Sequence, residues 1–266
     1  MKRLLITIDG SANDAASLTS AMLVARRLSA EISVVYTALP ARGVYAAGDV
    51  ALVTDDSGES AAAAALARSA YETVCADWSG AEWSITEETA AELIARLGPL
   101  SDLVIMERLS EEQGPVAAGF NAAVFETAGP VLITPPEPPA AIATNPVIAW
   151  NGSQQAAAAV KSAMAFLQLG GRVIVLSGGD VSSDSLGMLA KYLGAYDVTM
   201  AVERFSSDQL TARGRARALL KAVDGLSADL LVMGAHGENA LDALFGLGRA
   251  TQKIVTAARV PVLLQH

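Results

Sequence analysis

Short runs of consecutive apolar residues alternate along the chain with longer segments whose apolar positions recur every three or four residues. In the first half the runs are "RLLITI", "EISVVY", "EWSIT", "DLVIM" and "PVLIT"; in the second they are "PVIAW", "RVIVL", "VTMAVE", "DLLVM" and "PVLL". The segments between them have helical spacing, as in Ala15 to Leu28, where Leu18, Ala21, Met22, Ala25 and Leu28 fall on one face. Continuous apolar strands separated by helices predict a parallel sheet covered on both faces. Each half therefore predicts a five-stranded, doubly wound α/β domain, and right-handed crossovers favour the strand order 3-2-1-4-5. Ligands of such sheets bind beyond the carboxyl ends of the strands.

The two halves repeat one another. "LLITIDGSANDAASLTSAM" opens the first and "PVIAWNGSQQAAAAVKSAM" the second, so that Asp9, Gly10 and Ser11 correspond to Asn151, Gly152 and Ser153 at an offset of 142. The same offset carries Ser20, Ala21 and Met22 onto Ser162, Ala163 and Met164. Further on, "SDLVIM" matches "ADLLVM", and "GPVLITPP" matches "VPVLLQH". The stretch "TPPEPPAAIATNP" from Thr134 to Pro146 is proline-rich and suits a short, stiff connector. The expected domains are residues 1–136 and 146–266.

The second half contains a loop the first lacks, "VMGAHGENALDALFGLGRATQKIV", from Val232 to Val255. Glycines between a buried strand and a helix let backbone N–H groups come close to an anion, and a phosphate is the natural candidate. The plainer reading is that Gly234 and Gly237 turn the chain while Gly246 and Gly248 open a helix. Both stay open on this stretch alone.

Composition narrows the function classes. The chain has 266 residues, 52% hydrophobic and 18% charged, enough for well-filled cores. No run approaches the roughly 20 apolar residues of a membrane span, and Asp9 interrupts the N-terminal apolar run before a secretory signal could form. A soluble, unprocessed, cytoplasmic protein is expected. A single cysteine, Cys75, and two histidines, His236 and His266, provide neither a disulfide framework nor a zinc cluster. The net charge of −9 argues against nucleic acid as a partner. It is unevenly placed: residues 1–139 have 8 basic and 19 acidic side chains, a balance of −11, and residues 140–266 have 11 and 9, a balance of +2. An anion is steered toward the second half.

With these features the chain resembles the universal stress protein family in its tandem form, two Rossmann-like domains of the adenine nucleotide alpha hydrolase type in one polypeptide. The resemblance rests on the "IDGS" and "WNGS" turns, the glycine loop after the fourth strand of the second half, and the terminal "PVLL" strand. It implies a stress-response protein that binds or senses ATP, with Mg accompanying the nucleotide and slow hydrolysis at most. It also implies that the two halves pair as a pseudo-dimer, with a homodimer of whole chains as a further option. Nucleotide-binding members have Gly, two residues, Gly, nine residues, then Gly with Ser or Thr. Here Gly234 and Gly237 fit the first two positions, ten residues separate Gly237 from Gly248, and Arg249 occupies the hydroxyl position, with Thr251 nearby. By this resemblance the cofactor-binding residues are Asn151, Gly234, Gly237, Gly248, Arg249 and Thr251. Arg249 either pairs with a phosphate or fills the site. In the first half Glu107 and Ser110 stand where Gly234 and Gly237 do, and Ala117 and Ala118 where Gly248 and Arg249 do. A carboxylate there repels polyphosphate, and that site reads as closed. The rival reading is a scaffold of the same family that binds no nucleotide.

Other features have bland explanations. "SGGDVSSD" at Ser177 to Asp184 resembles the SGGxDS loop of ATP pyrophosphatases, but it follows the second strand of its half and reads as an ordinary strand-to-helix turn. His236 reads as a loop residue, and Trp78, Trp83 and Trp150 read as packing. No catalytic residues and no metal site are expected.

Overall fold

Ten strands form one sheet. The computed structural model describes residues 1–37, 57–108, 118–179, 181–205, 211–235 and 248–266, with every side chain among them except those of residues 57–59 and 249. In the first half the strands are β1 (Arg3–Ile8), β2 (Glu31–Thr37), β3 (Ala81–Thr86), β4 (Leu103–Glu107) and β5 (Val131–Thr134), with helices α1 (Asp14–Leu28), α2 (Ser57–Cys75), α3 (Ala90–Leu97) and α4 (Ala118–Phe125) between them. In the second half they are β6 (Pro146–Trp150), β7 (Arg172–Ser177), β8 (Thr199–Arg204), β9 (Leu230–Gly234) and β10 (Val262–Gln265). The helices there are α5 (Gln154–Ser162), α6 (Met164–Gly170), α7 (Ser183–Gly194), α8 (Ala212–Gly225) and α9 (Arg249–Ala257).

The sheet order is β3-β2-β1-β4-β5-β10-β9-β6-β7-β8. Each half thus has the expected order 3-2-1-4-5, with every pair inside a half parallel. What the periodicity did not foretell is the seam. β5 and β10 pair antiparallel, Val131 opposite Leu264 and Ile133 opposite Val262, so the halves join edge to edge. All four residues of each seam strand are buried, which removes two apolar edges that would otherwise offer unpaired N–H and C=O groups.

The two faces of this sheet carry two cores, and each runs across both halves. One packs Leu18, Met22 and Val24 of α1 and Val160, Leu189 and Leu193 of α5 and α7 against Ile6, Val34, Ile148 and Val175. The other gathers Phe120, Leu219, Val223 and Ile254 on Val104, Val131, Leu231 and Val262. Side chains reinforce the seam: Arg108 Nη1 donates to Ala258 O at 3.1 Å, and Gln265 Nε2 donates to Ala128 O at 3.4 Å. The Phe125 and His266 rings meet edge to face at 4.8 Å. Among the described residues no helix is long and apolar enough to cross a membrane.

Candidate functional site

In the second half, three features meet at the carboxyl ends of the strands. The first is the turn after β6. Gly152 has φ +76°, a left-handed conformation that glycine adopts without penalty. Asn151 is exposed, and its Oδ1 accepts from Ser153 N–H at 3.1 Å. Ser153 then caps α5, its side chain accepting from Ala156 N–H at 3.2 Å.

The second feature is Gly234. β6 and β9 pair with Ile148 beside Val232, which brings Gly234 level with Trp150 at the end of β6. A Cβ on Gly234 would lie 2.6 Å from Ala156 N and 2.7 Å from Gln155 Cβ. Gly234 is bare because the first turn of α5 rests on it. The backbone thus shows a structural need for glycine at this position.

The third feature is the start of α9. Gly248 is its N-cap, buried and without a side chain to satisfy the first-turn N–H groups, and Thr251 in that turn is also buried. Because β9 and β10 are parallel and α9 ends at Ala257, just before β10, its N-terminus lies toward the carboxyl ends of the strands. Asn151, Gly234, Gly248 and Thr251 are therefore brought to one end of the sheet. Arg249 is the first residue of α9, while its side chain, Gly237, Gly246 and His236 lie outside the described residues.

The first half has the same turn and a different neighbourhood. Gly10 has φ +85°, and Asp9 Oδ1 accepts from Ser11 N–H at 3.0 Å, the counterpart of the Asn151 contact. Here α1 begins at Asp14, and no side chain caps it. Asp14 is buried instead and turns back on the loop, accepting from Gly10 N–H at 2.8 Å and from Ser11 Oγ at 3.4 Å. Burial pushes its carboxyl up to about 6, the Gly10 N–H pulls it down, and the charge of Asp9 adds to the rise. Glu107, at the place of Gly234, accepts from Asn13 Nδ2 at 3.0 Å and is held above the usual carboxylate range, first by burial and then by Asp9. Helix α2 closes over the turn, so that a Cβ on Gly10 would lie 2.4 Å from Ala63 O. Phe120, fully buried in α4, stands where α9 has Thr251. Carboxylates, a covering helix and a phenyl ring stand in the first half where, among the described residues, the second half has bare backbone and a hydroxyl. Ser110 and Ala117 lie outside the described residues.

Residues 145–266 match the model of the universal stress protein family. This half of the chain is a universal stress protein domain. A curated relative from Thermus aquaticus, a universal stress protein encoded in the 3′ region of the QAH/OAS sulfhydrylase, is 50% identical over 58 residues, 21% of this chain and 42% of that protein. The match thus spans less than half of the relative's length. Among solved structures, a universal stress protein from Archaeoglobus fulgidus is similar over 99% of this chain and 95% of its own, with a TM-score of 0.69 and 16% identity. A protein from Pseudomonas aeruginosa described as a universal stress protein covers 100% and 93%, at a TM-score of 0.59 and 15% identity. At such identities these two likenesses establish the fold of the whole chain, first half included.

Reasoning from the sequence missed two features. One is Asp14, although the offset of 142 sets it against Ala156, a buried carboxylate against a methyl group. The other is a cavity between α5 and α7, beside Trp150, which no sequence spacing marks. "SGGDVSSD" does form a strand-to-helix turn, with Ser182 capping α7 through Ser185 N–H. Trp78 and Trp83 pack, the first donating to Ala30 O at 3.2 Å and the second lying 5.1 Å from the Tyr71 ring. Among the described residues no group of His, Cys, Asp or Glu is placed to hold a metal ion.

Proposed function

We propose that the chain is a tandem universal stress protein with one adenine nucleotide site, in the second half, and that the first half is its structural partner. The observation that carries this reading is the start of α9, where a buried glycine N-cap leaves the first-turn N–H groups without a side-chain partner in the cap. A helix N-terminus of that kind suits a phosphate. Gly248, Arg249 and Thr251 would hold the phosphates of ATP, with Mg accompanying them. Asn151 would face the nucleoside: its Oδ1 is engaged by Ser153 N–H, which leaves the amide N–H groups to donate to a ring nitrogen or a ribose oxygen. Gly234 contributes indirectly, by letting α5 and the Asn151 turn close on the end of β9. The corresponding place in the first half holds Glu107 with a raised carboxyl, and no second site is proposed there. The antiparallel seam between β5 and β10 stands, in this reading, for the pairing of two separate domains.

Calorimetric titration of ATP with Mg tests the proposal. The wild type should bind with a stoichiometry near one. Replacing Arg249 with Ala should weaken binding roughly tenfold to a hundredfold, as loss of a charge-assisted phosphate contact does. Gly237→Glu, which imitates the acidic first half, should abolish it. A stoichiometry near two sinks the one-site reading, and unchanged or tighter binding by Arg249→Ala makes that side chain a plug. No heat with any variant leaves the family's scaffold role.

A further inference from the structure

Helices α5 and α7 lie on the same face of the second half, and the space between them is incompletely filled. A cavity of about 270 Å³ opens there, lined among others by Trp150, Val160, Leu189, Tyr192, Lys161 and Ser185. At the equivalent turn of the first half the backbone of α2 at Ala63 closes on Gly10, whereas the nearest approach of α7 to Gly152 is a single hydroxyl, Ser185 Oγ, 3.0 Å from where a Cβ would be. That hydroxyl accepts from Trp150 Nε1 at 3.0 Å, which fixes the indole as one wall. Trp150 replaces Ile8 at the offset of 142, so the half with the gap also has the larger, flatter side chain bordering it.

The lining has a distinct chemistry. Trp150, Val160, Leu189 and the Tyr192 ring supply apolar surface, and Met188, 67% exposed, stands at the mouth. Lys161 contributes the cation of the lining, and among the described residues it makes no ion pair. Its flexible stem can follow the apolar wall while the ammonium stays at the opening. An apolar cavity of about 150 Å³ holds a benzene ring; this one has room for a bicyclic body.

We infer that the α5–α7 cavity binds a small aromatic or alicyclic monocarboxylate, with the ring system against Trp150 and Tyr192 and the carboxylate at Lys161. The cavity lining includes Gly152, next to Asn151, but no residue of α9, and the inference does not rest on nucleotide binding.

The probe is 2-naphthoate, with its neutral amide as comparison, followed on the full chain by ligand-observed NMR. Naphthoate should bind at one site with a Kd of roughly 0.1 to 1 mM, given its size. Lys161→Gln should weaken naphthoate roughly threefold to tenfold and leave the amide unchanged. Ala157→Phe, which fills the cavity from α5, should abolish both. Met188→Glu changes an exposed position, does not threaten folding, and should repel naphthoate while sparing the amide. Saturating ATP should leave naphthoate in place. The inference is overturned if naphthoate shows no saturable binding to the wild type, if Lys161→Gln and Met188→Glu bind it as the wild type does, or if ATP displaces it.

Discussion

The turns Asp9-Gly10-Ser11 and Asn151-Gly152-Ser153 begin alike, and within three residues they part. Both place a left-handed glycine second, and both spend the first side chain's oxygen on the N–H of the serine. In the second half Ser153 caps α5 at once, and the helix descends onto Gly234. In the first half the end of β4 is Glu107, whose side chain needs room; α1 starts at Asp14, the counterpart of the third residue of α5, and Asp14 satisfies the loop from inside. At the offset of 142 the first helix thus begins two residues later in the half whose fourth strand ends on Glu107 than in the half where it ends on Gly234. The end of the sheet carries carboxylates in the first half, and among the described residues of the second it has bare backbone.

The comparison is most sharply broken at the two turn glycines. Alanine at Gly10 meets a left-handed φ and a backbone oxygen at 2.4 Å; alanine at Gly152 meets a similar φ and only the movable Ser185 hydroxyl. Gly10→Ala should cost about 4 kcal/mol and Gly152→Ala about 1 to 2 kcal/mol, read from urea unfolding of each full-length variant. Equal losses would mean that α2 and α7 cover their turns equally.

Asp14 gives the next effect. Its folded carboxyl is raised to about 6 from an ordinary value near 3.8, so the folded state favours the proton. The associated stability is fully present below about pH 4 and is lost as pH rises through about 6. Asp14→Asn should stabilise the protein by about 2 kcal/mol at pH 7.5 and by little at pH 4. Stability curves at the two pH values check this, and a pH-independent difference refutes it. The second half, with Ala156 at this place, has no counterpart to this dependence.

A smaller difference lies in the capping serines. Ser153→Ala removes a hydrogen bond to Ala156 N–H and should cost about 1 kcal/mol. Ser11→Ala removes weaker contacts, to Asn13 N–H at 3.3 Å and Asp14 at 3.4 Å, and should cost less. Thermal unfolding of the pair ranks them, and a larger loss at Ser11 would reverse the assignment of caps.

Much of this architecture was legible in the sequence because its signals are local and repeated. The apolar runs and the offset of 142 are enough for ten strands and the order within each half. The seam was not, since an antiparallel partner for β5 is set by which apolar edges remain uncovered, a property of the assembled sheet. At the site, Asn151, Gly248 and Thr251 could be placed at the strand ends from topology alone. The helix contact at Gly234 could not: a glycine required by a neighbouring helix and one required by a ligand look the same in a sequence, and the 2.6 Å approach of Ala156 N to a Cβ there is a property of the assembled fold. Asp14 was missed for a related reason, as an acidic residue in the first turn of a helix ordinarily faces solvent.

The seam also has a consequence for how the chain is made. β5 is complete once Thr134 has been synthesised, yet its partner on that edge, β10, begins only at Val262, roughly 130 residues later. At about 5 to 20 residues per second, a nascent chain holds this edge, with its three apolar residues Val131, Leu132 and Ile133, uncovered for roughly 6 to 25 seconds. The ribosome-bound first half is therefore the stage most exposed to sticking to other chains, and the proline-rich segment immediately after β5, which cannot extend the strand, is well placed to limit how far a foreign strand can zip along it.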